Sequence, residues 1–169
     1  IEAANANLNM VPMLLGGVFK ETGNASPATV PAKGKWMNSD LKKHAELYEV
    51  EFNSNSFFPI NTLNLMRGAI AAQQMDIFEK YSKAIFTGIW IKDLNLGDIL
   101  ILQDYLEKND IDSTTLFGLA QSDDIKTILI QNTKEAVIKG VFGAPTFIVD
   151  EELIFGQDRL NFLKSALKT

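Results

Sequence analysis

Gly140-Val141-Phe142-Gly143-Ala144-Pro145-Thr146-Phe147-Ile148-Val149, resumed after a polar break by Leu153-Ile154-Phe155-Gly156-Gln157-Asp158-Arg159-Leu160, is the stretch that decides the fold. Its apolar halves are short, β-branched and aromatic, and Asp150-Glu151-Glu152 between them is a polar turn, so the pattern predicts a β-hairpin. Gly156-Gln157-Asp158 ends the second strand and opens a last helix, whose Leu160, Phe162, Leu163, Ala166 and Leu167 make one apolar stripe. Working upstream, Ser122-Asp123-Asp124 places acid at a helix start, while Lys134, Lys139 and Gly140 place base and a terminal glycine at its end. This predicts a helix over residues 123–139.

The rest of the chain divides into two zones. Leu8 to Leu15 reads as a strand whose Pro12, lacking an amide proton, belongs at an end or an edge. Gly16-Gly17, Thr22-Gly23-Asn24, Ser26-Pro27 and Val30-Pro31 then punctuate a loop of about eighteen residues. From Pro31 to Gly140 the signals are helical. Trp36, Leu41, Ala45 and Tyr48 recur on one side of an amphipathic segment, Asn61 can cap a helix over Thr62–Ile70, and Asp76 can cap another carrying Ile77, Tyr81, Ala84 and Ile85. Ile99, Leu102 and Leu106 mark one more. The order helix, strand, several helices, strand, strand, helix predicts an α/β or α+β domain interrupted by a helical insertion.

Composition narrows the function classes. The chain has 169 residues, 16 Lys and Arg against 21 Asp and Glu, and a net charge of −5. With a pI near 4.9 it offers no general cationic field, so nucleic acid and an anionic membrane are not expected partners. Apolar runs such as Ile99–Leu102 fall well short of the ~20 residues that span a bilayer. With no cysteine, these residues supply neither a disulfide, a thiolate metal site nor a cysteine nucleophile. No cluster of carboxylates suggests a metal, and the single histidine, His44, sits among Lys42, Lys43 and Glu46 on a wet helix face. The opening Ile1-Glu2-Ala3-Ala4-Asn5-Ala6-Asn7 has no basic or apolar signal segment and reads as the last turns of a helix, so a cytoplasmic protein whose helix begins before Ile1 is expected. Phe57-Phe58-Pro59, Trp36, Trp90, Phe86 and Tyr48 are either core or the wall of a cleft for a flat organic molecule, with Lys20, Asn24, Lys33, Asn61 and Arg67 the polar groups nearest in sequence.

The opening stretch also carries a resemblance. Ala144-Pro145-Thr146 resembles the cis-proline turn of the thioredoxin-like fold. The blocks Leu14-Leu15-Gly16-Gly17-Val18-Phe19-Lys20, Thr22-Gly23-Asn24, Val30-Pro31-Ala32-Lys33, Phe58-Pro59-Ile60-Asn61-Thr62-Leu63 and Phe155-Gly156-Gln157-Asp158-Arg159 are similar, in order, to the pattern of a DsbA-like branch. That branch contains the 2-hydroxychromene-2-carboxylate isomerases and the related kappa-class glutathione transferases. The implied fold is α/β, a thioredoxin-like fold of DsbA/kappa type with a large helical insertion: residues 1–33 and 140–169 form the thioredoxin-like domain and 34–139 the helical insert.

The resemblance implies glutathione as cofactor and a small aromatic carboxylate as substrate. It assigns Ala144, Pro145, Phe155, Gly156, Gln157 and Asp158 to glutathione, with the backbone before the proline pairing with its cysteinyl residue and Gln157 and Asp158 at its γ-glutamyl end. It assigns Lys20, Asn24, Lys33 and Asn61 to the substrate side. It further implies a homodimer, aromatic catabolism, and a thiol-activating serine in a first strand and helix start that would precede Ile1, so no catalytic residue is named within these 169. A dithiol oxidoreductase, if a Cys-x-x-Cys lies upstream, and a non-catalytic thioredoxin-like binding module are the alternatives.

Overall fold

The computed structural model describes residues 6–167. In chain order its helices are α1 (Leu15–Thr22), α2 (Pro31–Leu47), α3 (Leu63–Gln74), α4 (Phe78–Trp90), α5 (Ile99–Glu107), α6 (Ser113–Ala120), α7 (Asp123–Ile138) and α8 (Leu160–Ala166). The strands are β1 (Thr146–Val149) and β2 (Glu152–Phe155), and 3₁₀ turns lie at Pro27–Thr29 and Gln157–Arg159. Two compact units result, one drawn from Ile1–Ser26 and Gln131–Thr169, the other from Pro27–Ile130. The helix end expected at Ile1–Asn7 lies largely outside the described residues, and Ala6 and Asn7 are irregular.

In the first unit β1 and β2 form an antiparallel pair with Thr146 opposite Phe155 and Val149 opposite Glu152. The turn holds two residues rather than the three expected, because Glu152 already pairs. Asp150 and Glu151 both take positive φ, 46° and 73°, the mirror-image geometry whose twist suits two-residue hairpins. α8 packs on both strands.

Two expectations fail near the start of the chain, for one physical reason. Residues 8–14 are not a strand, and most of the loop expected from Gly16 is α1 and the beginning of α2. The backbone there is claimed by α7 instead of by a ladder: the Pro12 carbonyl accepts from Asn132 Nδ2 at 3.0 Å, and the Leu14 amide donates to Thr133 Oγ1 at 3.0 Å. The Leu14 carbonyl then receives Gly17 and Val18 N–H, which starts a helix. Gly17 belongs there because a Cβ on it would stand 3.0 Å from Thr133 Cγ2.

In the second unit α3 packs on α4 and α6, and α5 on α4 and α6. Leu65, Leu102, Leu106, Leu116 and Ile125 are buried within this helical layer. Burial of such side chains, about 1.5–3 kcal/mol each, is what holds helices this short. Thr62, not Asn61, occupies the N-cap of α3, although Asn61 Oδ1 still accepts from Leu63 N–H at 3.1 Å. Asp76 does not cap α4, whose N-cap is Ile77. It closes α3 instead, at φ 55°, as Asp93 closes α4 and Asp110 closes α5, each at φ 54°. A short acidic side chain tolerates the left-handed conformation that more often falls to glycine at helix ends. No described helix is long and apolar enough to cross a membrane.

Candidate functional site

The hairpin register brings the two quoted blocks together. Beyond the Thr146–Phe155 pair the ladder gains one more bond, from Gly156 N–H to the Pro145 carbonyl at 3.0 Å, so Ala144-Pro145 and Gly156-Gln157-Asp158 lie side by side. The Ala144–Pro145 peptide is cis. Ala144 is exposed, and neither its N–H nor its carbonyl has a partner among the described residues.

The surroundings fix this edge. Thr146 Oγ1 donates to the Gly143 carbonyl at 2.8 Å, and the Phe142 and Phe155 rings meet with centroids 4.7 Å apart. Asn24, just past the left-handed Gly23 that ends α1, donates from Nδ2 to the Phe142 carbonyl at 2.8 Å while its Oδ1 accepts from Ala25 N–H. Asn24 is therefore held against the site, with one amide oxygen and one amide nitrogen already engaged. Gly156 sits at φ 105°, and a Cβ on it would run into Asp158 Oδ1 and come within 3.1 Å of Arg159 Nη1. Asp158, expected at a helix start, makes no capping bond; its Oδ1 accepts from Arg159 Nη1 at 2.8 Å. Gln157 is half-buried. A depression of about 420 Å³ beside the hairpin is lined by Phe142, Phe155, Phe162, Glu152 and Arg159, among others.

The residues expected on the substrate side are distributed over both units. Lys20 is exposed in the last turn of α1, in the same unit as Asn24 and the hairpin. Lys33 is exposed in the first turn of α2, and Asn61 lies before α3, both in the second unit. Asn61 lines its own depression of about 430 Å³ with Phe57, Pro59, Ile60, Asn95 and Asp98. The aromatics there form a cluster in which Trp90 stacks with Phe52 at 5.7 Å and tilts against Phe58 at 5.8 Å. Trp36 and Phe86 are exposed. His44 Nδ1 lies 3.0 Å from the Asp40 carbonyl on its own helix. Among the described residues no three His, Asp or Glu side chains are grouped to hold a metal ion.

Sequence reasoning gave no role to Arg159 or Phe142, although both stand in the deciding stretch. The available signal was the opposite charge of Asp158 and Arg159 directly after a glycine at a strand end. Nothing in spacing or period foretold that the Phe142 carbonyl would be Asn24's acceptor.

Comparison with known proteins adds the following. The model of the DSBA-like thioredoxin domain matches residues 1–168. Glutathione S-transferase kappa 1 of Rattus norvegicus is 28% identical over 173 residues, covering 94% of this chain and 76% of the relative. The 2-hydroxychromene-2-carboxylate isomerase of Sphingobium xenophagum is 31% identical over 147 residues, covering 86% of this chain and 74% of the relative. A solved structure of selenomethionine-labelled 2-hydroxychromene-2-carboxylate isomerase superposes with a TM-score of 0.81 at 22% identity, over 92% of this chain and 76% of that one. The fold is thus that of DsbA-like thioredoxin domains, rich in helix, with a small two-stranded sheet among the described residues.

Proposed function

Because the chain belongs to the DSBA-like thioredoxin domain family, we propose that it is a glutathione-dependent isomerase of aromatic compound breakdown, interconverting 2-hydroxychromene-2-carboxylate and trans-o-hydroxybenzylidenepyruvate. The observation that carries this is the 31% identity to an isomerase of that name across 86% of the chain. In this reading residues 1–33 and 140–169 form the thioredoxin-like part and 34–139 the helical insert, and the active protein is a cytoplasmic homodimer.

The hairpin edge suits a tripeptide. The free N–H and carbonyl of Ala144 are a one-residue strand edge, ready to pair in antiparallel fashion with a cysteinyl backbone laid along Pro145. Phe155, Gly156 and Gln157 then lie beneath the γ-glutamyl end. The Asp158 carboxylate, with Oδ2 unpartnered among the described residues, supplies a counter-charge for its α-ammonium. A Cβ at Gly156 would fill this cradle. Glutathione held along Ala144-Pro145 and reaching Asp158 would supply a thiol nucleophile for reversible addition to a conjugated system, chemistry that permits rotation about the former double bond. In the unit that carries the hairpin, Lys20 is exposed and unpaired and attracts the substrate carboxylate, with the Asn24 carboxamide on the substrate side; in the second unit, Lys33 and Asn61 are separately assigned to substrate.

The test is to mix the protein with 2-hydroxychromene-2-carboxylate and glutathione and follow the ultraviolet spectrum. Isomerisation faster than with glutathione alone is expected, and no acceleration refutes the isomerase. The second reading, a kappa-like glutathione transferase, is favoured by the 28% identity over 94% of the chain to a kappa transferase. It gains if conjugation of electrophiles to glutathione is accelerated while the chromene acid is left untouched.

A further inference from the structure

The loop that enters β1 has two consecutive peptide planes held by side chains. Asn24 Nδ2 donates to the Phe142 carbonyl at 2.8 Å, and Thr146 Oγ1 donates to the Gly143 carbonyl, also at 2.8 Å. Among the described residues no other group, backbone N–H included, donates to the Gly143 carbonyl. The second plane matters for binding. Gly143 and Ala144 are joined by a trans peptide, whose C=O and N–H lie in one plane and point in opposite directions. A hydroxyl that draws the Gly143 carbonyl toward Thr146 therefore aims the Ala144 N–H the other way, where Ala144 is exposed and the N–H has no partner among the described residues. Gly143 does not hold that aim through its own backbone preference, since glycine lets the adjoining plane turn. It is buried, and a Cβ on it would stand 2.7 Å from Phe155 Cε2, so the Phe155 ring excludes a stiffer residue there.

We propose that Thr146 is a positioning residue: its hydroxyl, acting through the Gly143 carbonyl, sets the direction of the Ala144 N–H that pairs with the cysteinyl carbonyl of glutathione. The inference rests on the glutathione reading and adds to it a side chain that works without touching the ligand. An antiparallel pair exchanges two N–H···O bonds between facing residues, so a misdirected donor loses one of them. Without the hydroxyl the carbonyl of buried Gly143 is left unmatched. A turn of the plane toward water gives that carbonyl a partner and carries the Ala144 N–H inward. The apparent dissociation constant then rises by the inverse of the fraction of molecules that keep the amide outward. Thr146 is half-buried and faces Phe155 in the ladder; valine keeps its branched shape and its suitability for a strand, so the hydroxyl can be removed with little else disturbed.

The experiment is calorimetric titration of glutathione into the full chain, Thr146→Val and Thr146→Ser, with hydrogen exchange at the Ala144 amide followed by NMR in the same three proteins. Thr146→Val should bind glutathione about five- to tenfold more weakly, the scale of one neutral hydrogen bond. Thr146→Ser keeps the donor and should stay within about twofold of the unaltered protein. Saturating glutathione should slow Ala144 exchange in the unaltered and serine proteins and slow it less in the valine protein, a difference that a general loss of stability would not confine to one amide. Equal binding by Thr146→Val and the unaltered protein, or a Thr146→Ser protein as weak as Thr146→Val, overturns the inference and leaves glutathione binding intact. An Ala144 amide that bound glutathione does not slow overturns it even where the valine protein fails to fold. If the unaltered protein binds no glutathione, the glutathione reading falls and this inference with it.

Discussion

Replacing Gly156 with alanine addresses the turn on which the site depends. The residue sits at φ 105° and ψ 147°, a region essentially reserved for glycine, where any other residue costs of order 1–3 kcal/mol. The new Cβ would also meet Asp158 Oδ1 and approach Arg159 Nη1 to 3.1 Å. Both belong to exposed side chains that can swing aside, so backbone strain dominates the stability loss and the collision falls on the ion pair. About 2 kcal/mol corresponds to a melting temperature lower by roughly 4–8 °C in a chain of this length. Gly16→Ala is the control: Gly16 lies in α1, and a Cβ on it meets nothing within 4 Å, so the gain in helix propensity should leave stability equal or up to about 1 kcal/mol higher. Thermal unfolding followed by circular dichroism gives both numbers. A Gly156→Ala protein that melts with the unaltered one, or a Gly16→Ala protein that falls as far, would refute the reasoning.

Two predictions concern the second unit. Asn55 is 8% exposed; its Nδ2 donates to the Ile89 and Leu94 carbonyls at 2.9 and 3.0 Å, and its Oδ1 accepts from Phe57 N–H at 2.9 Å. Asn55→Ala leaves those groups unmatched and should cost about 3 kcal/mol, seen as a melting temperature roughly 6–12 °C lower. Asp93 is held below the usual carboxylate range by hydrogen bonds from Ser56 Oγ and N–H, each 2.6 Å long. A depressed pKa in the folded state stabilises above the unfolded value, about 4, and that stability is lost as the pH falls through the folded one. Ser56→Ala removes the larger of the two causes. An NMR titration should show Asp93 protonating at higher pH in the variant, and an unmoved curve contradicts the assignment.

What could be read in advance was what local chemistry alone decides. The hairpin followed from β-branched and aromatic runs around a polar break, and α7 from acid at one end and base with glycine at the other; the structure moves their limits by about a residue. α1 was hidden because Gly16-Gly17 is a loop signal in isolation, whereas in the fold both lie in the helix and Gly17 is the contact that lets it press on Thr133 of α7. Asp76 was misplaced because aspartate both starts helices and ends them, and only the backbone angle tells which. α6 was missed although Asp112 caps it, accepting from Thr115 N–H at 3.0 Å, since Ser113-Thr114-Thr115 carries no apolar period. At the site, the blocks were legible but their junction was not. Gly156 N–H meeting the Pro145 carbonyl, and Arg159 turning back on Asp158 and Phe155, arise only once the strands are paired.

The central claim is that glutathione lies along Ala144-Pro145 and reaches Asp158. Backbone amide shifts recorded while glutathione is titrated into the full chain test it most directly. Saturable changes are expected at Ala144, Thr146, Gly156, Gln157 and Asp158, with residues of α5 and α6 undisturbed. Binding with those five amides unmoved, or shifts confined to the second unit, would contradict the account.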